Sequence, residues 1–320
     1  MLKFAPLAVI AAALLCNPAQ AQRVDLDEVE LRAQAGVPVE VVINDQPVQI
    51  LIAPDAVSAV SMNGDAAERL GFEPSMVGFV YVIGPERLRF STDTVRYHMQ
   101  GGTFRRRTAY SERQIVEGAD GVVGPGHFPQ ERVVLTLREP TERDRAITYP
   151  LERMGRTLAG TLIEAGGVPI YVAFSFDRPE TLVSATGGRI LADDYRGYFD
   201  GEARFMPVLY GVDRPVRRLT LRDPLMLGEL EVRNIAVRVS DHGSSEGIDE
   251  EAPEEGDPDE IVVTANTGDI PRQRMYVGMD TIGHCASITY DFDEEVLTLM
   301  CPDQPPAGSV PIPSDEPEAL

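Results

Sequence analysis

Residues 49–61, QILIAPDAVSAVS, contain the pattern on which the fold prediction depends. Residues 50–52 are apolar and rich in β-branched side chains, which predicts a buried β-strand. The three residues that follow, Ala53-Pro54-Asp55, predict a turn. A buried strand that leads into an acidic turn can present a carboxylate to a functional site.

The same stretch occurs a second time. Residues 46–61 (QPVQILIAPDAVSAVS) align without a gap with residues 168–183 (VPIYVAFSFDRPETLV), at an offset of 122 residues. Similarity of this kind within one chain indicates a repeated structural unit. The matched residues include Asp55 with Asp177 and Val60 with Leu182.

A second element follows each copy and contains a glycine after a short apolar run. It is DGVVGPGHF (120–128) in the first half and MYVGMDTI (275–282) in the second, at an offset of 154 residues. The second half therefore contains extra residues between its two motifs. Residues 241–260, DHGSSEGIDEEAPEEGDPDE, account for much of this gain. They are acidic and nearly free of apolar side chains, so they predict a disordered insert.

The start of the chain has the features of an export signal. Lys3 precedes an apolar run at 7–15, and Ala19-Gln20-Ala21 is a small-x-small cleavage site. We expect residues 1–21 to be removed and the protein to reach the periplasm. A lipid anchor at Cys16 is the alternative, but the preceding Leu15 is larger than the residue usual there. No later apolar run is long enough for a membrane helix, so we expect no stable membrane insertion.

The remaining chain divides into segments, and its short Val- and Ile-rich runs predict an all-β fold. Helices are predicted only at 65–70 and around 189–194. The predicted domains are a first lobe at 22–139, a linker at 140–156, a second lobe at 157–302 that carries the insert 241–260, and a Pro-rich disordered tail at 303–320.

Two cysteines follow the predicted signal peptide, Cys285 and Cys301. They flank two alternating segments, 285–291 and 295–301, which predict a hairpin with a three-residue turn. In that register the two cysteines lie directly opposite each other, so we predict a disulfide. Two free buried thiols are the alternative.

Composition and motifs exclude several functions. A formal net charge of −22 disfavours nucleic acid as a partner, because binding it relies on Lys and Arg. There is no HExxH or CxxC zinc motif, no Gly-x-Ser-x-Gly elbow and no phosphate-binding glycine loop. A weak cation site in 241–260 is an alternative, but its carboxylates lack the spacing of a calcium loop. We therefore predict neither a metal nor a cofactor.

The repeated strand, acidic turn and glycine element resemble the two lobes of an aspartic peptidase. Each half is most similar to the retropepsin-like unit found in tandem in exported bacterial proteins. Residues 43–56, INDQPVQILIAPDA, are similar to that family's INGxPVxFLVDTGA. The resemblance covers nearly all of the chain after residue 21. It implies two pseudo-twofold β-barrel lobes, a polypeptide-binding cleft between them and, because one chain holds both halves, a monomer.

The catalytic motif departs from the family pattern. The family's Asp-Thr-Gly falls on Ala53-Pro54-Asp55 and on Ser175-Phe176-Asp177. Aspartic peptidases activate water with two carboxylates that share one proton. Ala53 and Ser175, at the two catalytic positions, carry no carboxylate.

Two functional hypotheses follow. The first is a catalytically degenerate pseudopeptidase that binds extended polypeptide in the interlobe cleft. The second is an active aspartic endopeptidase that uses a displaced dyad, Asp55 and Asp177, whose side chains lie on one side of a continuing strand. A third interpretation makes both aspartates simple turn formers.

Overall fold

The computed structural model describes residues 30–56, 59–99, 102–154, 158–239, 261–262 and 273–303. The predicted signal peptide, the insert 241–260 and the chain beyond residue 303 lie outside the described residues. Strands dominate the rest, which confirms the all-β prediction. A search of the described helices finds none with the length and apolar character to span a membrane.

The elements are numbered in chain order. The strands are β1 (Glu30–Gln34), β2 (Val39–Ile43), β3 (Gln46–Ile52), β4 (Val60–Asn63), β5 (Val77–Ile83), β6 (Glu86–Met99), β7 (Gly102–Ser111), β8 (Gly121–Val123), β9 (Arg132–Thr136), β10 (Asp144–Pro150), β11 (Glu152–Met154), β12 (Leu158–Ala165), β13 (Val168–Phe174), β14 (Thr181–Val183), β15 (Tyr198–Leu209), β16 (Val212–Thr220), β17 (Leu225–Leu227), β18 (Leu230–Val232), β19 (Ile235–Arg238), β20 (Ile261–Val262), β21 (Arg274–Val277), β22 (Ser287–Asp291) and β23 (Val296–Pro302). The helices are α1 (Gly64–Arg69), α2 (Ala185–Asp194) and α3 (Met279–Ile282), with a 3-10 turn at Pro125–His127.

The first sheet contains a closed barrel. Its order is β2-β3-β8-β4-β7-β6-β5-β20, and a further pairing of β2 with β6 closes six of these strands on themselves. In β3 the side chains of Val48, Ile50 and Ile52 are buried while their neighbours are more exposed, as the period of a strand requires. Strand β20 pairs with β5, so Ile261 and Val262 belong to this sheet rather than to the second.

The second sheet has the order β11-β12-β13-β21-β14-β19-β16-β15. Its order β12-β13-β21-β14-β19-β16-β15 corresponds strand for strand to the order β2-β3-β8-β4-β7-β6-β5 of the first sheet. The pairing senses also agree, with β3–β8 and β4–β7 parallel in the first sheet, and β13–β21 and β14–β19 parallel in the second. Among its described strands, however, the second sheet lacks the pairing that would close it.

Strand registers relate the two sheets by the offsets seen in the sequence. Ile50 pairs with Gly121 and Val172 pairs with Met275, which reproduces the offsets of 122 and 154 residues. Beyond the turn the offset changes by one residue. Val122 pairs with Ser61, whereas its equivalent Tyr276 pairs with Leu182, so Ser61 is equivalent to Leu182. The predicted match of Val60 with Leu182 is therefore wrong by one position, since the second turn is one residue shorter.

A third sheet joins the two ends of the described chain. Its order is β1-β9-β22-β23-β10, so the segment predicted as a linker, 140–156, provides strand β10 to this sheet and β11 to the second sheet. We call it the joining sheet. The disulfide Cys285–Cys301 lies at its end and is confirmed, with Cα atoms 4.0 Å apart. This bond fits an oxidising location outside the cytoplasm.

The hairpin that carries the disulfide has a longer turn than predicted. Ser287 pairs with Met300 and Asp291 with Val296, which leaves four residues in the turn instead of three. The last of these, Glu295, has a φ of 54°, a left-handed conformation that the sequence did not reveal. Each cysteine is thus one position away from the directly opposed register.

Both predicted helices are present. Helices α1 and α2 follow β4 and β14, which occupy equivalent places in the two sheets. The hydroxyl of Ser184 caps α2 by accepting a hydrogen bond from the backbone N–H of Gly187 at 3.3 Å. Helix α3 was not predicted.

Candidate functional site

A cavity of about 730 Å³ lies between the first and second sheets. Leu51 and Val122 face it from the first sheet, and Leu182 and Tyr276 face it from the second. The turns that follow β3 and β13 reach this cavity, and both sequence-predicted carboxylates line it.

The two turns begin in the same way. The backbone N–H of Ala53 donates to Val123 O, and that of Ser175 donates to Val277 O, each at 2.9 Å. Each bond extends the parallel pairing of a strand with the glycine element that follows it. Ala53 and Ser175 therefore occupy equivalent positions, as the aligned sequences predict.

Ser175 lies between the two aspartates. Its side chain is fully buried, its Oγ donates to Asp55 Oδ2 at 2.7 Å, and it makes a second, shorter contact with Asp177 Oδ1. A hydroxyl carries only one hydrogen to donate. Both contacts are of hydrogen-bond length, so a carboxyl group that carries a proton can supply the second hydrogen by donating it to Ser175 Oγ.

Asp55 is the better candidate for that proton. Its side chain is only 10% exposed. Burial, and then the nearby charge of Asp177, raise the pKa of Asp55 to about 6, against opposing effects of Arg178 and the Ser175 hydrogen bond. Asp177 is exposed to solvent. The two carboxyl groups therefore meet at one hydroxyl but lie in different surroundings.

Arg178 fixes this arrangement from the cavity side. Its Nε lies 3.4 Å from Asp55 Oδ2. Its terminal nitrogens donate to the carbonyl oxygens of Pro207 and Val208, each at 2.7 Å, and its guanidinium lies over the Tyr276 ring at 5.6 Å from the centroid. One side chain thus links the Asp55 turn to strand β15. Sequence reasoning missed Arg178, because only its place directly after Asp177 pointed to it.

The tip of the β15–β16 hairpin covers one side of the cavity. Tyr210 shares a 2.7 Å hydrogen bond with Ser61 of the first sheet. Its ring packs against Tyr81 and Phe90, and Arg113 donates to its backbone carbonyl at 3.0 Å. These contacts join residues far apart in sequence, and no sequence motif indicated them.

The structure brings together three of the four residues predicted at the turns. Asp55, Ser175 and Asp177 form one hydrogen-bonded group, while Ala53 lines the cavity and packs in the apolar cluster of the first sheet. Within the described ranges, no group of three or more His, Cys, Asp or Glu side chains is arranged to hold a metal ion.

Comparisons with known proteins add no relative. No protein-family model matches this chain. No curated protein is significantly similar to it. Any family assignment therefore depends on the residues and the strand arrangement described above.

Proposed function

We propose that this protein is an aspartic-peptidase-like protein of two pseudo-symmetric lobes, exported to the periplasm, that binds an extended polypeptide without cleaving it. The equal strand order and pairing senses of the two sheets support the tandem retropepsin-like arrangement. So does the agreement of the strand registers with both sequence offsets. On this proposal the cavity between the sheets is the interlobe cleft.

One observation carries the proposed absence of cleavage. Ser175 Oγ occupies the space between the carboxyl groups of Asp55 and Asp177. A working pair of aspartates needs that space for the water that it deprotonates. A buried serine hydroxyl in its place leaves the pair bonded to the protein itself.

Ser175 is a poor replacement nucleophile. A serine hydroxyl needs a base that accepts its proton, usually a histidine. Among the described residues that line the cavity there is no histidine. The side chain is also fully buried, so a substrate carbonyl carbon has no direct approach to its Oγ.

An acid-acting peptidase that uses Asp55 and Asp177 is the second candidate. The observation that favours it is the meeting of two carboxyl groups at one hydroxyl. The pKa of Asp55, about 6, suits a carboxyl group that stays protonated in mildly acidic solution. On this candidate Ser175 must rotate away to admit water.

Peptide binding tests the proposal directly. We expect saturable binding of an extended apolar peptide, followed by fluorescence anisotropy. Ala56 lines the cavity, so Ala56→Trp should fill it and weaken binding by roughly tenfold or more. Ala146 is exposed on β10, away from the cavity, so Ala146→Trp is the matched control and should bind as the wild type does. Absence of binding, or equal binding by all three proteins, would contradict the proposal.

A further inference from the structure

The charged residues of the cavity are mostly cationic, unlike the rest of the chain. The whole sequence carries 51 acidic and 29 basic residues. Three arginines line the cavity, Arg178, Arg238 and Arg274, but only two aspartates, Asp55 and Asp177. Below about pH 6 the proton on Asp55 removes one of the two negative charges, so the cavity is more positive there.

Of the three arginines, Arg178 and Arg238 have interaction partners in the protein, so Arg274 is the cation that a ligand can reach. Arg178 already binds Asp55 and two carbonyl groups. The Arg274 backbone N–H donates to Ser184 Oγ at 3.1 Å, but no hydrogen bond or ion pair of its guanidinium is found within the described ranges. The positive charge of Arg274 lowers the pKa of the Tyr171 hydroxyl, although burial raises that pKa by a larger amount.

The part of the cavity wall that the first half contributes is largely apolar. Leu51, Ile83, Ile115 and Val122 of the first half line it. Burial of apolar side chains against this wall is favourable. A charge-assisted hydrogen bond to Arg274 would be strengthened by the reduced access of water. The cavity thus combines apolar contacts with one binding site for an anion.

We propose that the cleft selects polypeptides that place a carboxylate, from an acidic side chain or from the C-terminus, on Arg274 and adjacent apolar side chains on the first-sheet wall. This inference rests on the proposed function, since it specifies which polypeptides the cleft takes. An Arg guanidinium can hold a carboxylate through two parallel hydrogen bonds, which also fixes the direction of the bound peptide.

Four labelled peptides test the selection. Each has the same Val, Leu and Phe residues and a dye at its N-terminus. Two peptides carry Glu at a central position and two carry Gln there. Within each pair, one peptide is the free acid and the other is the C-terminal amide. We expect the peptides with a carboxylate to bind roughly tenfold to a hundredfold more tightly than the Gln amide. Whether Glu or the C-terminus gives the larger effect identifies the source of the carboxylate.

Two arginine variants identify the residue. Arg274→Gln should remove the preference for a carboxylate and leave the affinity of the Gln amide unchanged. Arg222 is exposed and does not line the cavity, so Arg222→Gln removes the same charge from the chain and should keep the preference. Equal thermal unfolding temperatures of the two variants establish that both are folded.

Three outcomes would overturn the inference. If all four peptides bind equally, the proposed function stands and the selection by charge is wrong. If no peptide binds, both fail. If the peptides bind alike, and replacing the acidic residues of 241–260 by amides strengthens the binding of the carboxylate peptides, the chain supplies its own carboxylate and an external acidic polypeptide is not the ligand.

Discussion

The turns after β3 and β13 begin with the same backbone hydrogen bond and end in the same residue type, yet their carboxyl groups differ. Asp55 is buried against Arg178 and holds its proton to about pH 6, whereas Asp177 is exposed. A catalytic pair needs two carboxyl groups that act on one water. The comparison shows that a repeated backbone can support an asymmetric site, in which one carboxyl group is buried beside a cation and the other is exposed.

The largest effect is expected from removing the partner of Asp55. Arg178→Met leaves the buried carboxyl group without its cation and deletes two hydrogen bonds to β15. Loss of one member of a buried ion pair costs about 3–5 kcal/mol of unfolding free energy. Urea unfolding at pH 7 measures this cost, with exposed Arg222→Met as the control. A loss no larger than that of the control would show that Arg178 does not support the turn.

The second effect is a dependence of stability on pH. Because the pKa of Asp55 is raised from 3.8 to about 6 in the folded protein, its stabilising proton is fully present below pH 4 and is lost as the pH rises through about 6. This shift corresponds to a change of about 3 kcal/mol in the free energy of unfolding. Asp55→Asn should abolish that part of the decline between pH 4 and pH 7.

The same measurement has an internal control. The pKa of Asp280 is also raised to about 6, mainly by burial. Asp280 is unchanged in Asp55→Asn, so its contribution cancels when the two proteins are compared. If wild type and Asp55→Asn lose stability equally between pH 4 and pH 7, the Asp55 proton is not the cause.

A smaller loss of stability is expected from substitution of Ser175, which occupies the position equivalent to Ala53 at the start of the second turn. Ser175→Ala removes the hydroxyl that joins Asp55 to Asp177 and should destabilise the protein by about 1–2 kcal/mol. Ser175→Cys keeps the approximate size of the side chain and serves as the comparison. Urea unfolding at pH 5 measures both. An unchanged stability in Ser175→Ala would show that the hydroxyl does not bind the aspartates together.

The smallest effect concerns Asp177. Because it is exposed, Asp177→Asn should change the free energy of unfolding by no more than about 0.5 kcal/mol. The contrast with Asp55→Asn is the sharpest test of the asymmetry, and it uses the same substitution at equivalent positions. If Asp55→Asn and Asp177→Asn change the pH dependence of the free energy of unfolding equally, the two carboxyl groups do not differ as described.

Local patterns predicted much of the fold. The apolar period of β3, the apolar run of β13, the glycine elements and the two helices depend on short stretches of chain, and each is found where it was expected. The disulfide was also predicted, because a hairpin brings the ends of its two strands together even when its turn is one residue longer than expected. The positive φ of Glu295 and the shorter second turn depend on the backbone of single residues and left no clear signal.

The site itself was predicted only in part. Self-alignment identified Asp55, Ser175 and Asp177, but not the bond geometry that places the hydroxyl between the carboxyl groups. Arg178 and Tyr210 act across the fold, on strand β15 and on Ser61. Contacts of this kind arise only once the two sheets are packed together, so a pattern within one segment cannot predict them.

Whether this protein cleaves polypeptides is measured by incubating the wild type with a denatured protein mixture from pH 3 to pH 7 and analysing the products by mass spectrometry. We expect that no peptide bond is cleaved at any pH by the wild type or by Asp177→Asn. Cleavage by the wild type that is lost in Asp177→Asn would contradict the proposed absence of catalysis and would establish an active pair of aspartates.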